Sequence, residues 1–112
     1  MVEMATAPPV ENIFESEDIA ISHWDIHFYF FQTDVKDVES AQSIQAAFRA
    51  RFPSIKTFDL VKEPVGPHPV GMWEAHLCNP SELGSAITWL SQHHKHHSVL
   101  VSFAGLSFSL YC

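Results

Sequence analysis

The sequence predicts an α+β domain of the ferredoxin-like βαββαβ class, an antiparallel sheet with two helices on one face. Three observations carry this. Within residues 20–32, titratable and apolar side chains alternate from His23 to Phe30. Two later stretches, around 38–52 and 79–90, repeat their apolar residues every three or four positions. The segments left over, 54–61, 71–77 and 98–103, read as strands, so the order is β-α-β-β-α-β.

In the first strand Trp24, Ile26, Phe28 and Phe30 share one face, while His23, Asp25, His27 and Tyr29 share the other. A period of two with aromatic residues is a strand signature. Same-face neighbours lie about 7 Å apart, two rises of about 3.4 Å. Thr33 to Asp37 forms a turn and helix start. Val38, Ala41, Gln45, Phe48 and Phe52, with Ile44 on the flank, then make an amphipathic helix that ends before Pro53. Ser54–Val61 is expected as the second strand. Pro64-Val65-Gly66-Pro67-His68-Pro69 holds three prolines and a glycine, which exclude a helix and give a stiff, extended loop. In the third strand, Gly71–Leu77, Trp73, Ala75 and Leu77 face one way and Met72, Glu74 and His76 the other. Asn79-Pro80-Ser81-Glu82 is a helix start, with Asn79 as N-cap and Pro80 at the first helical position. Leu83, Ala86, Ile87 and Leu90 supply its apolar stripe, and Ser98–Phe103 is the fourth strand.

Length and composition bound what such a domain does. The chain has 112 residues, enough for one domain with a modest core. Residues 1–18 carry Pro8, Pro9 and five acidic residues without periodicity, and are expected to be a disordered tail before a domain at 19–112. A net charge of −7 argues against nucleic acid and anionic membranes as partners, since both select Lys and Arg. The start shows no basic and apolar signal pattern, and no apolar run reaches the length of a transmembrane helix, so a cytoplasmic location is expected. Cys78 and Cys112 are then read as free thiols in a reducing compartment. The sheet face away from the helices is bare in this fold, and a homodimer through it is the expectation by fold-level analogy.

Four features bear chemistry. Asp25 and His27 alternate on one strand and therefore point the same way, either as two ligands to one metal or as a polar, solvated sheet face. His68 is braced by prolines, which suits a binding or catalytic group as well as an incidental surface turn. Glu74 and His76 share the parity of the His27 face. Glu74 is a third ligand, an acceptor behind a metal-bound histidine, or an exposed acid. The run His93-His94-Lys95-His96-His97 is read as a solvated helix end rather than a metal trap. Phosphate loops, nucleophile elbows, Cys-X-X-Cys and HExxH motifs are absent from the sequence.

Two segments, Trp24-Asp25-Ile26-His27-Phe28-Tyr29-Phe30 and Pro64-Val65-Gly66-Pro67-His68-Pro69-Val70-Gly71-Met72-Trp73-Glu74, resemble the two signatures of the DOPA 4,5-dioxygenase family. The stretch from Ile87 to Val101 is similar to the part that follows them, so the resemblance covers residues 21 to 101. It implies a non-haem metal enzyme, expected to use Fe(II), with Zn(II) able to take its place in crystals. Such an enzyme opens the ring of a catechol such as L-DOPA with O₂. Carried over by position, His27 is a metal ligand, His68 a ligand or the acid/base, and Asp25 a ligand where the family often has histidine. Tyr29, Glu74 and His76 would support the metal or touch substrate. The pattern departs from about residue 102, where Ser102 stands in place of an expected histidine. The alternative is therefore a catalytically inactive ferredoxin-like module that binds a small aromatic ligand or dimerises.

Overall fold

The structure, a computed structural model, describes residues 21, 23–104 and 112. The expected tail at 1–18 lies outside the described residues. The elements run β1 (His23–Phe30), α1 (Val35–Arg51), β2 (Lys56–Thr57), β3 (Gly71–Leu77), α2 (Pro80–His93) and β4 (Val99–Ala104). The four strands form one antiparallel sheet in the order β2-β3-β1-β4, so the ferredoxin-like α+β expectation holds.

Alternation in β1 sorts its side chains as the sequence implies. Ile26, Phe28 and Phe30 are buried in the core beside Trp73, Ala75 and Leu77 of β3. α1 adds Ala41, Ile44 and Phe48, and α2 adds Ala86 and Leu90. Phe28 stacks on Trp73 with ring centroids 4.9 Å apart, and Phe48 meets the same indole at 5.4 Å. Removing a ring of this kind costs about 3–5 kcal/mol, so this cluster dominates stability.

Both helix starts follow from their caps. Asp34 Oδ1 accepts from the backbone N–H of Lys36 at 3.0 Å. Asn79 Oδ1 accepts from Glu82 N at 2.9 Å, and Glu82 reaches back to Cys78 N. These bonds satisfy donors that a helix start leaves open.

Two expectations need correction. The second strand is two residues long rather than the span Ser54–Val61, with a separate bridge between Val61 and Met72. The reason is local: Gln45 of α1 donates its side-chain N–H to the carbonyl of Phe58 at 2.7 Å, which takes that group out of the ladder with β3. The cysteines are also not free thiols. Cys78 and Cys112 form a disulfide across 34 positions, with Cα atoms 5.2 Å apart. Their spacing in the sequence carries no pairing signal; the fold supplies it.

Candidate metal centre

β1 sends Asp25, His27 and Tyr29 to the face away from the helices, because alternate residues of a strand point the same way. Antiparallel register then fixes their neighbours. Asp25 lies opposite His76 and His27 opposite Glu74 on β3; on the other side His27 faces Leu100 and Asp25 faces Ser102 of β4. The ligating atoms of Asp25, His27 and Glu74 all lie within 4.8 Å of one another. His76 Nδ1 stands 2.7 Å from Asp25 Oδ1, and the His76 ring also packs against His23 at 4.6 Å.

His68 arrives from the proline-rich loop. A turn places it: His68 N donates to Val65 O at 3.0 Å, and Gly66 sits at φ 57°. A positive φ followed by a proline is the turn chemistry that glycine makes accessible. The His68 ring comes within 4.5 Å of the His27 ring, centroid to centroid, and His68 Nδ1 lies 2.7 Å from the Tyr29 hydroxyl. Of the residues singled out in the sequence, the fold brings His68 against His27 and Tyr29, Asp25 and Glu74 near His27, and His76 beside Asp25. The face is not simply solvated, because His23, His27 and His76 are each buried to within 9% exposure.

Burial sets the electrostatics. Desolvation holds the His27 imidazole below its ordinary pKa, nearby His68 adds to this, and Asp25 opposes it. Desolvation raises Glu74, helped by the negative Asp25 and opposed by His76. Burial also raises the Tyr29 phenol. A neutral imidazole beside carboxylates held close together is the donor set a divalent cation takes. His27 Nδ1 is buried and meets no hydrogen-bond partner, and the nearest polar group to Nε2 is Ser102 Oγ at 3.5 Å. An orphaned ring nitrogen beside two carboxylates fits a metal.

The histidine run after α2 departs from expectation. The run is not solvated throughout: His97 is only 3% exposed. Its Nδ1 donates to Tyr29 O at 2.9 Å, and its Nε2 lies 2.9 Å from Ser40 Oγ. His96 Nε2 donates to Asp37 Oδ1, while Asp37 Oδ2 accepts from Phe31 N at 2.6 Å. Asp37, His96 and His97 also lie close enough to hold an ion, but both ring nitrogens of His97 are committed to protein groups, so the cluster serves as a clasp between α1, β1 and the loop before β4. One hint is legible beforehand: Asp37 falls in the first turn of the helix, where an acid finds backbone donors.

The family model described as the Dopa 4,5-dioxygenase family matches residues 24–104. A DOPA 4,5-dioxygenase of Amanita muscaria is 31% identical over 106 residues, covering 88% of this chain and 44% of the relative. An uncharacterized 21.2 kDa protein of Botryotinia fuckeliana is 36% identical over 67 residues, 60% of this chain and 37% of its own. The chain thus spans less than half the length of these curated relatives. The crystal structure of a candidate dioxygenase from Nostoc punctiforme shares the fold, with a TM-score of 0.68 at 24% identity over 77% of this chain and 70% of that one. With a family match over most of its length, the chain belongs to the Dopa 4,5-dioxygenase family.

Proposed function

We propose that this chain is a metal-dependent dioxygenase that opens the ring of a catechol, with Asp25, His27 and Glu74 holding the cation. The observation that carries this is the convergence of those three ligating groups within 4.8 Å of one another, on a residue, His27, whose Nδ1 is buried and meets no hydrogen-bond partner. The set within that distance is one imidazole and two carboxylates, with the second imidazole, His68, packed against the His27 ring. Fe(II) is the expected metal; when bound, it supplies the redox chemistry that lets triplet O₂ react with a singlet catechol.

The protein's own residues handle binding and protons. His68 reads either as a further ligand or as the base for the catechol hydroxyl, and Tyr29 decides which nitrogen is available. When Nδ1–H donates to the Tyr29 oxygen, Nε2 keeps its lone pair. That lone pair takes a proton from a catechol hydroxyl, or binds the cation. The raised pKa keeps Tyr29 a neutral phenol, so it holds the ring without bringing a competing charge. Asp25 Oδ1 lies 2.7 Å from His76 Nδ1, so that ring is the carboxylate's close neighbour across the strands.

The test is anaerobic loading with Fe(II), followed by L-DOPA or a simpler catechol and air. Uptake of O₂ with a ring-opened, yellow product, lost in His27→Ala and in His68→Ala, supports the reading. Stoichiometric metal binding without O₂ uptake favours the second reading, an inactive module. One observation favours it: the group facing His27 Nε2 from β4 is the Ser102 hydroxyl, a far weaker metal ligand than an imidazole.

A further inference from the structure

Tyr29 is the last residue but one of β1, and it is held at both its side chain and its backbone. Its hydroxyl meets His68 Nδ1 on the face of the candidate metal centre. Its peptide groups are held from the side of β4. Tyr29 N donates to Ser98 O at 3.0 Å, and Tyr29 O accepts from His97 Nδ1 at 2.9 Å. In a hydrogen-bonded antiparallel pair the donor to that carbonyl is the partner's backbone N–H. Here an imidazole N–H reaches it. Two residues on, Phe31 N donates to Asp37 Oδ2 at 2.6 Å, and His96 Nε2 donates to the other oxygen of that carboxylate. The backbone on both sides of Phe30 is therefore anchored by side chains of α1 and of the loop before β4.

Hydrogen-bond chemistry fixes the state of His97. A carbonyl only accepts, so Nδ1 carries the proton and Nε2 accepts from the Ser40 hydroxyl at 2.9 Å. The ring packs on Phe28 at 4.7 Å and on His96 at 4.1 Å. Burying a polar ring costs free energy unless its nitrogens are bonded. The contribution of His97 therefore lies in its two bonds rather than in filling space. One of those bonds ends on the residue that orients His68.

We propose, resting on the dioxygenase reading above, that His97 is a positioning residue for that site: its bond to the Tyr29 carbonyl fixes the strand end from which the Tyr29 hydroxyl holds His68 against His27. A long, rigid side chain magnifies any tilt of its own backbone. Fraying at Tyr29 therefore displaces the hydroxyl further than it displaces the strand, and His68 follows. A misplacement of about 1 Å at a reacting centre can cost about a hundredfold in rate. The hold on His68 needs no metal, so it is measurable whether or not the site is catalytic.

Asparagine and glutamine separate the two bonds of His97. The amide nitrogen of asparagine falls where Nδ1 stands, and that of glutamine where Nε2 stands. His97→Asn therefore keeps a donor for Tyr29 O, His97→Gln keeps only the contact with Ser40, and Ser40→Ala deletes that second contact alone. Nitrogen-15 NMR of the histidine rings in the metal-free full chain reads His68 directly. One His68 tautomer is expected in the wild type, His97→Asn and Ser40→Ala, and a mixture of two in His97→Gln. Affinity for Mn(II), and kcat/KM for a catechol with Fe(II), should fall about tenfold or more in His97→Gln alone, with far-UV circular dichroism unchanged. Mixed His68 tautomers in the wild type overturn the inference, as does a single tautomer in His97→Gln. So does a His97→Asn or Ser40→Ala chain that loses as much as His97→Gln. A wild type that binds no metal and opens no catechol removes the dioxygenase reading, and the His68 spectra then decide the role of His97 by themselves.

Discussion

The hydroxyl of Tyr29 and Nδ1 of His68 lie 2.7 Å apart, although 39 positions separate them in the chain. This bond ties the proline-rich loop to β1 and orients the His68 ring against His27. Tyr29→Phe keeps the ring and its packing but deletes the bond. Outer hydrogen bonds of this kind are worth about 10–100-fold in metal affinity or activity. The expected result is a loss in that range, read by competition with a chelator and by O₂ uptake. Unchanged values would mean that the bond does not position His68 for the site.

Stability of the metal-free protein should fall as the solution becomes mildly acidic. His27 and His97 both titrate below the ordinary histidine value of 6.5 because burial disfavours their charged forms. The unfolded chain therefore binds protons first, and each histidine removes stability as pH drops below about 6.5 towards its lowered folded value. Asp37 is also lowered, by its bonds to Phe31 N and His96 acting against burial, but its contribution is lost only in the carboxylate range. Urea melts at pH 8 and pH 5.5 should show the lower midpoint at pH 5.5. His97→Gln should shrink the difference.

Reduction of the Cys78–Cys112 bond frees the end of the chain. A closed loop of 34 positions is worth about 3–4 kcal/mol in the chain-entropy account. Cys78→Ser should therefore lower the midpoint of a urea melt in non-reducing buffer, and a reducing agent should lower the wild type to match. A variant as stable as the oxidised wild type would contradict this.

Gly71 opens β3 where the chain passes against its neighbours. A Cβ added there would lie 2.8 Å from Phe30 Cε2 and 2.9 Å from the carbonyl oxygen of Val61. Phe30 is buried and Val61 O is backbone, so neither yields easily. Gly71→Ala is expected to cost about 1–3 kcal/mol, the range for overpacking a filled core. Thermal melting measures it.

Local periodicity made most of the fold legible. The alternation of Trp24 to Phe30 fixed both faces of β1, and Asn79-Pro80 marked the start of α2. The polar face of β1 also pointed to the site, because parity alone groups Asp25, His27 and Tyr29. What stayed hidden depends on contacts across the chain. Nothing near Phe58 shows that Gln45 will take its carbonyl and shorten β2. Nothing in His93–His97 shows that Ser40 and Tyr29 will bury one imidazole of the run. Glu74 was one of several readings until register set it opposite His27.

If the proposed function holds, Asp25, His27 and Glu74 share one cation. Crystals grown with Fe(II) or Mn(II) and measured at the metal's absorption edge test it directly. The expected result is a single strong anomalous peak bonded to a His27 ring nitrogen and to carboxylate oxygens of Asp25 and Glu74. A peak only among Asp37, His96 and His97, or none near His27, would contradict it.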